Sequence, residues 1–473
     1  MQQDIIGREL EQDILLRLLN SKSSEFVAIY GRRRIGKSFL VNELFGKKIT
    51  VRVTGLFNKS KVEQIRNFNE ALAEAGLKGR QQATDWREVF SNLNALLQGL
   101  SHEGKKIVFL DEMPWMDTPR SGFLSALEHY WNHWASHQND VLLIVCGSAT
   151  SWMVKNLVNN YGGLHNRLTR QIMLEPFTLR ECEAYLKSRS IAYTRKQVVE
   201  SYMAFGGVPY YMSLMSPESS LYQNIDDLYF APTAPLRNEY TNLYHSLFRK
   251  QDGHLTIINA LAKKGKGLTR QAIIKATRLS DGGGLSRTLD DLVNNGFIRF
   301  YQSFSRKQKE GLYQIIDPFT LFHLHFNEQR KVFSENYWMQ FTLTPSFGNW
   351  AGYAFERVCL LHVPQIKKAL GISGVLTQVY SWKSRSSVPG AQIDLVIDRH
   401  DGIASLCEAK YAQREFTIDR AYSEKLRIKR EAFSAETETN RIPQTVMISA
   451  SGITRNQYKE ELTAQITLDD LFA

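Results

Sequence analysis

A loop bounded by glycines near the start of the chain carries residue types that bind phosphate. Residues 31–38 read Gly-Arg-Arg-Arg-Ile-Gly-Lys-Ser. Glycines let backbone N–H groups wrap around phosphate oxygens, and the N-terminus of a following helix adds to the attraction. Lys37 would bridge the β- and γ-phosphates of a nucleotide, and Ser38 would ligate Mg²⁺. The residues predicted to bind ATP in this loop are Gly31, Arg32, Arg33, Arg34, Ile35, Gly36, Lys37, Ser38 and Phe39.

Two acidic residues follow an apolar run at 107–110 and would complete the nucleotide site. Asp111 would hold the magnesium through water, and Glu112 would polarise the attacking water. The alternative is that the pair merely opens a solvated loop. Gly147 and Ser148 end the next apolar run, where a polar side chain would sense the γ-phosphate or simply form a turn.

Arg167 and Arg170 are candidates for an arginine finger. A guanidinium stabilises the charge of a phosphoryl group in transfer. A surface salt bridge is the equal alternative for both residues, so the sequence does not identify the finger.

A second set of charged residues lies in the last third of the chain. Glu356 falls in a helical pattern, and Asp394 lies in the strand-like run 391–397. Glu408 lies in the strand-like run 403–409, and Lys410 directly follows that run. Two carboxylates on neighbouring strands suit a hard cation such as Mg²⁺ or Mn²⁺. Lys410, two residues after Glu408, points to the same strand face and would help to activate water. This set predicts metal-dependent phosphodiester cleavage, with Asp394 and Glu408 as metal ligands. Alternation of charged and apolar residues on a half-exposed strand is the competing explanation.

The elements that must position these residues follow from the apolar pattern. Continuous apolar runs at 26–30, 107–110 and 141–146, separated by helical stretches, are typical of strands buried on both faces of a parallel sheet. Residues 1–170 therefore predict a doubly wound α/β domain. Residues 171–250 are helical in pattern.

Residues 254–316 predict a winged helix-turn-helix: three helices, then strands at 297–304 and 311–316. The recognition helix would span 284–295 and carry Arg287, with the acidic Asp290 and Asp291 opposing contact with phosphate. A basic loop between the strands would form the wing, with Arg306, Lys307 and Lys309.

A second α/β domain begins at about 345, with a helix at 350–361, strands near 374–380, 391–397 and 403–409, and a later strand at 444–448. The predicted domains are 1–170, 171–250, 251–330 and 345–473.

Composition restricts the cellular setting and the partners. The chain has 473 residues, a formal net charge of +11 and a pI near 9.3, which favours polyanionic partners. Its four cysteines are scattered, so neither a zinc site nor a disulfide framework is indicated. The polar N-terminus and the lack of a long apolar run predict a cytoplasmic protein with no membrane partner.

The first half of the chain resembles the archaeal-type ATPases of the STAND branch of AAA+-like P-loop proteins. The resemblance rests on the glycine loop, Asp111-Glu112, Gly147-Ser148, the run Ile6-Gly7-Arg8-Glu9 and the later Gly206-Gly207-Val208-Pro209. It implies that Ile6, Gly7 and Arg8 pack near the adenine. It also implies that residues 207–209 report the nucleotide state to a helical lid.

The C-terminal pattern D…E-x-K resembles the PD-(D/E)XK nuclease fold, and Glu356 matches its helical glutamate. Combined with the ATPase and the winged helix, it resembles bacterial and archaeal ATPases that carry a C-terminal DUF234 domain. Gln392 and Ile393 precede the aspartate, where the motif has a proline. In ATPases of this kind, winged helices often serve packing or dimerisation, and some nuclease-like domains are inactive scaffolds.

Together these patterns predict an ATP-hydrolysing switch coupled to a DNA-acting domain, with ATP and Mg²⁺ at the first site and Mg²⁺ or Mn²⁺ at the second. The expected catalytic residues are Lys37, Glu112, Arg167, Glu356, Asp394, Glu408 and Lys410. DNA is the expected partner, and self-association is compatible with the sequence. The alternatives are an ATP-gated DNA-binding or scaffold regulator with an inactive nuclease-like domain, and a signalling ATPase without a nucleic-acid partner.

Overall fold

The computed structural model describes residues 4–100, 104–159, 162–164, 166–248, 251–265, 267–304, 311–326, 336–384 and 390–473. They divide into two units, Met1–Glu175 and Pro176–Ala473. Within the described ranges, no helix has both the length and the apolar character that a membrane crossing requires.

The first unit is built on a parallel sheet, as the buried apolar runs predict. Its strands, in chain order, are β1 (Glu25–Tyr30), β2 (Ile49–Thr54), β3 (Lys106–Asp111), β4 (Val141–Gly147) and β5 (Arg170–Met173). The spatial order is β2-β3-β4-β1-β5, and every neighbouring pair is parallel. The loop after β1 opens at the carboxyl edge of the sheet, where ligands bind in open α/β folds.

Alternate residues of each strand face two separate apolar clusters. In β1, Phe26 and Ala28 belong to one cluster and Val27 and Ile29 to the other. This is the period of two that a strand imposes, and both faces are apolar because helices cover both. The helices of the unit are α1 (Glu9–Leu19), α2 (Lys37–Phe45), α3 (Lys61–Glu74), α4 (Trp86–Gly99), α5 (Met113–Met116), α6 (Phe123–His133) and α7 (Thr150–Met153). The fold is therefore α/β with the parallel sheet of a P-loop NTPase.

The second unit begins with helices that share one apolar core with the rest of the unit. They are α8 (Leu179–Ser188), α9 (Arg195–Phe205), α10 (Pro209–Ser213), α11 (Leu221–Ile225) and α12 (Glu239–Leu247). Capping boxes begin α8 at Thr178, α9 at Thr194 and α11 at Ser220. Each of these caps satisfies backbone N–H groups that a helix start otherwise leaves without partners.

The next segment contains the three helices and two later strands that the sequence predicts for 254–316, together with a short strand after the first helix that the sequence does not predict. Its elements are α13 (Asp252–Ala262), β6 (Leu268–Thr269), α14 (Arg270–Thr277), α15 (Gly283–Asn294), β7 (Ile298–Gln302) and β8 (Gly311–Ile315). The strands form an antiparallel sheet in the order β6-β8-β7. Leu285, Leu289 and Leu292 are buried along one face of α15, which leaves the opposite face open to solvent.

A mixed five-stranded sheet completes the second unit. Its elements are α16 (Pro318–Phe326), α17 (Tyr337–Thr342), α18 (Pro345–Leu361), α19 (Val363–Ala369), β9 (Thr377–Lys383), β10 (Gln392–Arg399), β11 (Ile403–Lys410), α20 (Arg420–Thr437), β12 (Ile442–Ser449) and β13 (Ala464–Ile466). The order is β13-β12-β11-β10-β9. Strand β10 is antiparallel to both β9 and β11, whereas β12 is parallel to both β11 and β13. Helix α18 starts at Pro345, five residues before the predicted start, because proline is compatible with the first helical turn.

Short turns of other helical types connect these elements. The 3₁₀ turns are Gly46–Lys48, Ala135–His137, Lys459–Glu461 and Asp469–Phe472, and the π-helical turns are Val154–Val158 and Asp226–Phe230.

Two glycines of the second unit allow a matched test of backbone crowding. Gly207 and Gly371 have φ of +65° and +69°, but a Cβ on Gly207 would lie 2.4 Å from the Phe177 carbonyl oxygen, whereas one on Gly371 would meet nothing within 4 Å. Gly371→Ala should cost about 1–2 kcal/mol for the left-handed backbone alone. Gly207→Ala should cost a further ~1–3 kcal/mol for the steric overlap. Urea unfolding of the full chain measures both, and equal losses would contradict the crowding at Gly207.

Candidate functional site

The glycine loop joins β1 to α2 with a backbone that only glycine supports at its first position. Gly31 has φ of +141°, and a Cβ there would lie 2.2 Å from the Leu174 carbonyl oxygen. Gly36 has φ of +90° and precedes the first residue of α2. The Ile35 side chain is 1% exposed and belongs to an apolar cluster, so only its backbone is left to face a ligand. Arg33 and Arg34 are half-buried and Phe39 is exposed.

Lys37 is a buried cation in the centre of this loop. Its Nζ donates hydrogen bonds to the carbonyl oxygens of Gly31, at 2.9 Å, and Arg32, at 2.8 Å. Burial lowers the pKa of Lys37, and Glu112 is the largest of the charges that oppose this shift. Two neutral carbonyls compensate a buried charge less well than an anion does, so the loop favours an anionic ligand.

Ser38 and Asp111 form a pair of oxygen donors beside the loop. The Ser38 hydroxyl donates to the Asp111 carboxylate at 2.9 Å across the gap between α2 and the end of β3. Burial raises the pKa of Asp111, and the hydrogen bond from Ser38 opposes the shift. Hydroxyl and carboxylate oxygens are ligands that Mg²⁺ accepts, so this donor set fits the metal that accompanies a nucleoside triphosphate.

Glu112 lies next to Asp111 in a left-handed backbone conformation with φ of 45°. Its carboxylate accepts hydrogen bonds from the backbone N–H of Ser148, at 3.0 Å, and from the Ser148 hydroxyl. Ser148 directly follows β4, so the ends of β3 and β4 bring together the two residues that the sequence predicts near the γ-phosphate. In this arrangement Glu112 is turned toward Ser148.

The remaining residues predicted for the first site are less closely gathered. Arg8 is buried, has φ of 60°, and donates to the Glu175 carbonyl oxygen. The Gly7 carbonyl accepts a hydrogen bond from Gln12 at 2.7 Å, and Ile6 is half-buried. Arg167 is exposed in a turn before β5. The adenine contact of residues 6–8 and the finger role of Arg167 stay predictions.

Three acidic residues of the second unit line one pocket. Glu356 comes from α18, Asp394 from β10 and Glu408 from β11. Leu395 pairs with Cys407 across the antiparallel strands. Asp394 and Glu408 are therefore neighbours across the two strands, one position beyond that pair. Topology thus places side chains that are up to 52 residues apart in sequence around one space.

Crowding of like charges marks this pocket electrostatically. The pKa of Glu356 is raised to about 7, chiefly by burial and then by the charges of Asp394 and Glu408, while Arg357 and Lys410 oppose the shift. A divalent cation would relieve the repulsion among the carboxylates, and Mg²⁺ needs only one or two carboxylates in addition to substrate oxygens. The carboxylate oxygens are therefore ligands of the type that a hard cation accepts.

The carboxylates are not poised as a finished metal centre. Among the described residues, no group of three His, Cys, Asp or Glu side chains stands where it could hold a metal ion. Asp394 accepts a hydrogen bond from the Gln392 amide at 2.6 Å. Glu408 accepts from the Tyr422 hydroxyl at 3.0 Å and pairs with Lys429, whose Nζ lies 2.7 Å away.

Helix α20 contributes residues to this site that the sequence motif does not contain. Tyr422 and Lys429 are seven residues apart, which places them two turns apart on one helical face. Lys410, the lysine of the motif, has its Nζ 4.9 Å from the centre of the Tyr422 ring and 5.7 Å from that of Phe416. The helical spacing of Tyr422 and Lys429 was visible in the sequence, but nothing local linked it to β11.

Two acidic residues on or just before α15, the helix predicted to meet DNA, have partners within the second unit. Asp291 lies 3.2 Å from the His254 ring, and Asp281, just before the helix, binds Arg270 at 2.7 Å. Arg287 and Asp290 are exposed. The predicted wing residues Arg306, Lys307 and Lys309 lie outside the described residues.

Comparison with known proteins supports the nucleotide site. Residues 5–215 match a family described as an ATPase domain predominantly from Archaea. Together with the parallel sheet and the loop geometry, this match makes the segment a P-loop ATPase domain. An uncharacterized protein of Methanocaldococcus jannaschii is 22% identical over 410 residues, which cover 86% of this chain and 87% of that protein.

Two solved structures are similar in part. The Walker-type ATPase of Pyrococcus abyssi covers 68% of this chain and 96% of its own, with 16% identity and a TM-score of 0.48. Cdc6p from Pyrobaculum aerophilum covers 68% and 93%, with 14% identity and a TM-score of 0.35. Both scores are below 0.5, so nothing further about this chain rests on either structure.

The raised pKa of Glu356 predicts how stability depends on pH without metal. The folded protein holds this proton up to about pH 7, whereas an unfolded glutamate loses it near 4.5. Stability from this group is therefore full below pH 4.5 and is lost as the pH rises to 7, by about 3 kcal/mol. Glu356→Gln should abolish this loss and be more stable than wild type at pH 8 in EDTA.

The measurement is urea unfolding at pH 5 and pH 8, with Glu438→Gln, at an exposed glutamate, as the control. Equal pH dependence of wild type and Glu356→Gln would show that the pKa of Glu356 is not raised in the folded protein.

Proposed function

We propose that this protein is an ATP-hydrolysing switch whose second unit binds DNA and cleaves it with a divalent cation. The observation that carries the proposal is the meeting of Glu356, Asp394 and Glu408 at one pocket in a chain that also holds a P-loop ATPase domain. The net charge of +11 supports a polyanionic substrate.

At the first site, ATP would replace the provisional partners of Lys37. The ammonium would exchange the Gly31 and Arg32 carbonyls for β- and γ-phosphate oxygens, while the loop amides and the start of α2 wrap the phosphates. Ser38 and Asp111 would hold Mg²⁺, which neutralises charge on the phosphates. Glu112 would break its hydrogen bonds with Ser148 and accept a hydrogen bond from the attacking water. Before ATP binds, the contact with Ser148 would hold Glu112 away from that water.

At the second site, Asp394 and Glu408 would hold Mg²⁺ or Mn²⁺, whose chemistry is to polarise a phosphodiester and an incoming water. Glu356 has a pKa near 7, suited to taking up a proton at neutral pH. Lys410 would contact a phosphate oxygen from the β11 side of the pocket. The pocket lies in the same unit as α15, so a duplex held by Arg287 and the predicted wing would meet a cleaving site in that unit.

A regulator without nuclease activity is the second candidate. The ion pair between Glu408 and Lys429 favours this candidate, because a glutamate paired with a lysine has a structural role that needs no metal. In that case, ATP would govern DNA binding alone, and Asp394 would be dispensable for it.

Loss of the P-loop lysine tests the first half of the proposal. Lys37→Ala removes the buried cation that would contact the phosphates, a charge-assisted bond worth ~1.5–3 kcal/mol, so ATP affinity should fall about 10- to 100-fold. Lys47→Ala, at an exposed lysine in the turn after α2, is the matched control. Equilibrium binding of labelled ATP measures both, and undiminished affinity in Lys37→Ala would remove the nucleotide site.

Plasmid nicking tests the second half. Wild-type protein with Mn²⁺ should convert supercoiled DNA to the open circle, and Asp394→Ala should lose at least ~10²-fold in rate because a metal ligand is gone. Asp401→Ala changes an exposed aspartate in the turn between β10 and β11 and should nick like wild type. Equal nicking by Asp394→Ala, or none by wild type, would favour the regulator.

A further inference from the structure

Both carboxylate oxygens of Glu408 are already engaged within the protein. Oε1 accepts the hydrogen bond from Tyr422 and Oε2 contacts the Lys429 ammonium. A cation that binds Glu408 from the pocket must share or replace one of these partners. The tyrosine is a neutral donor that can remain while the glutamate binds metal, whereas the ammonium competes with metal for the same negative charge.

Helix α20 holds Lys429 at this position firmly. The Asp419 side chain caps the helix by accepting from the Tyr422 backbone N–H at 2.7 Å. Toward the other end, Phe433 is fully buried. The centre of its ring lies 5.5 Å from that of Trp382 and 5.0 Å from that of Phe304. The lysine lies between these two anchors, so its reach to Glu408 is a consequence of how the helix docks.

The motif lysine does not fill this role. Lys410 is placed over the rings of Tyr422 and Phe416, and the ion pair of Glu408 is made by Lys429 instead. The side chain of Lys429 is 25% exposed and that of Glu408 is 20% exposed. An ammonium released from this pair would therefore regain water at small cost, which makes exchange feasible.

We propose that Lys429 is a positioning residue that serves as the counter-ion of Glu408 until a divalent cation displaces it. It keeps Glu408 ordered and neutralised in the metal-free pocket, and it sets the metal concentration at which the pocket fills. The inference rests on the proposed metal site at Asp394 and Glu408, and it adds an internal cation that competes for that site.

Metal affinity tests the exchange directly. Mn²⁺ binding to the full-length chain would be titrated by calorimetry without nucleotide, in an Asp111→Ala background that removes the metal ligand of the ATP site. Lys429→Met should bind Mn²⁺ about three- to tenfold more tightly than the background protein, because a partly exposed ion pair no longer opposes the metal. Lys425→Met, which removes an exposed lysine one turn earlier on α20, should leave the affinity unchanged.

Lys429→Arg is the conservative variant and should restore affinity near the background value. Thermal melts in EDTA verify that each variant is folded. Affinity of folded Lys429→Met equal to or weaker than that of the background protein would overturn the exchange, as would an equal gain in Lys425→Met.

Nicking separates failure of this inference from failure of the proposed function. With ATP-site residues intact, Lys429→Met should reach its half-maximal rate at a Mn²⁺ concentration three- to tenfold lower than wild type. Wild type that nicks DNA, with an unchanged metal requirement in Lys429→Met, would overturn the exchange alone. If Asp394→Ala neither weakens Mn²⁺ binding nor reduces nicking, the metal site itself is refuted, and the exchange with it.

Discussion

A buried charge is costly unless another charge or several hydrogen bonds compensate it, and both sites of this protein depend on that constraint. In the first unit, Lys37 is 5% exposed and its ammonium donates to two carbonyl oxygens. In the second, three carboxylates line one pocket, and burial, followed by the charges of Asp394 and Glu408, raises the pKa of Glu356 to about 7. The ligands that we propose, polyphosphate for the lysine and a hard cation for the carboxylates, would compensate these buried charges.

The partners that now stabilise these charges resemble the ligands in kind but are weaker. Carbonyl oxygens stand where phosphate oxygens would lie, the Ser38 hydroxyl reaches Asp111 where magnesium would join them, and Lys429 meets Glu408 where a divalent cation would bind. Internal partners of this kind keep an empty site ordered and lower its apparent affinity, because the ligand must displace them. If both sites bind the ligands that we propose, each ligand would first have to displace a partner that the protein supplies.

The sequence was informative wherever the signal was local or periodic. The parallel sheet followed from short apolar runs, and the P-loop from fixed offsets between glycine, lysine and serine. The joint pocket of Glu356, Asp394 and Glu408 followed from motif and strand pairing. Tyr422 and Lys429 were not predicted, because their contact with Glu408 depends on where α20 docks, which no local pattern encodes. The ligand contact of Ile35 stays a prediction for its backbone, and its side chain belongs to an apolar cluster.

The match to the ATPase family runs to residue 215, whereas the first unit ends at Glu175. The forty residues between these points include α8 and α9, whose Leu179, Leu186 and Val199 belong to the apolar core that also contains Phe355 and Cys407. The segment that matches the ATPase family therefore extends past the first unit into the second. A fragment that ended at residue 215 would divide the apolar core of the second unit and would expose Leu179, Leu186 and Val199 to water.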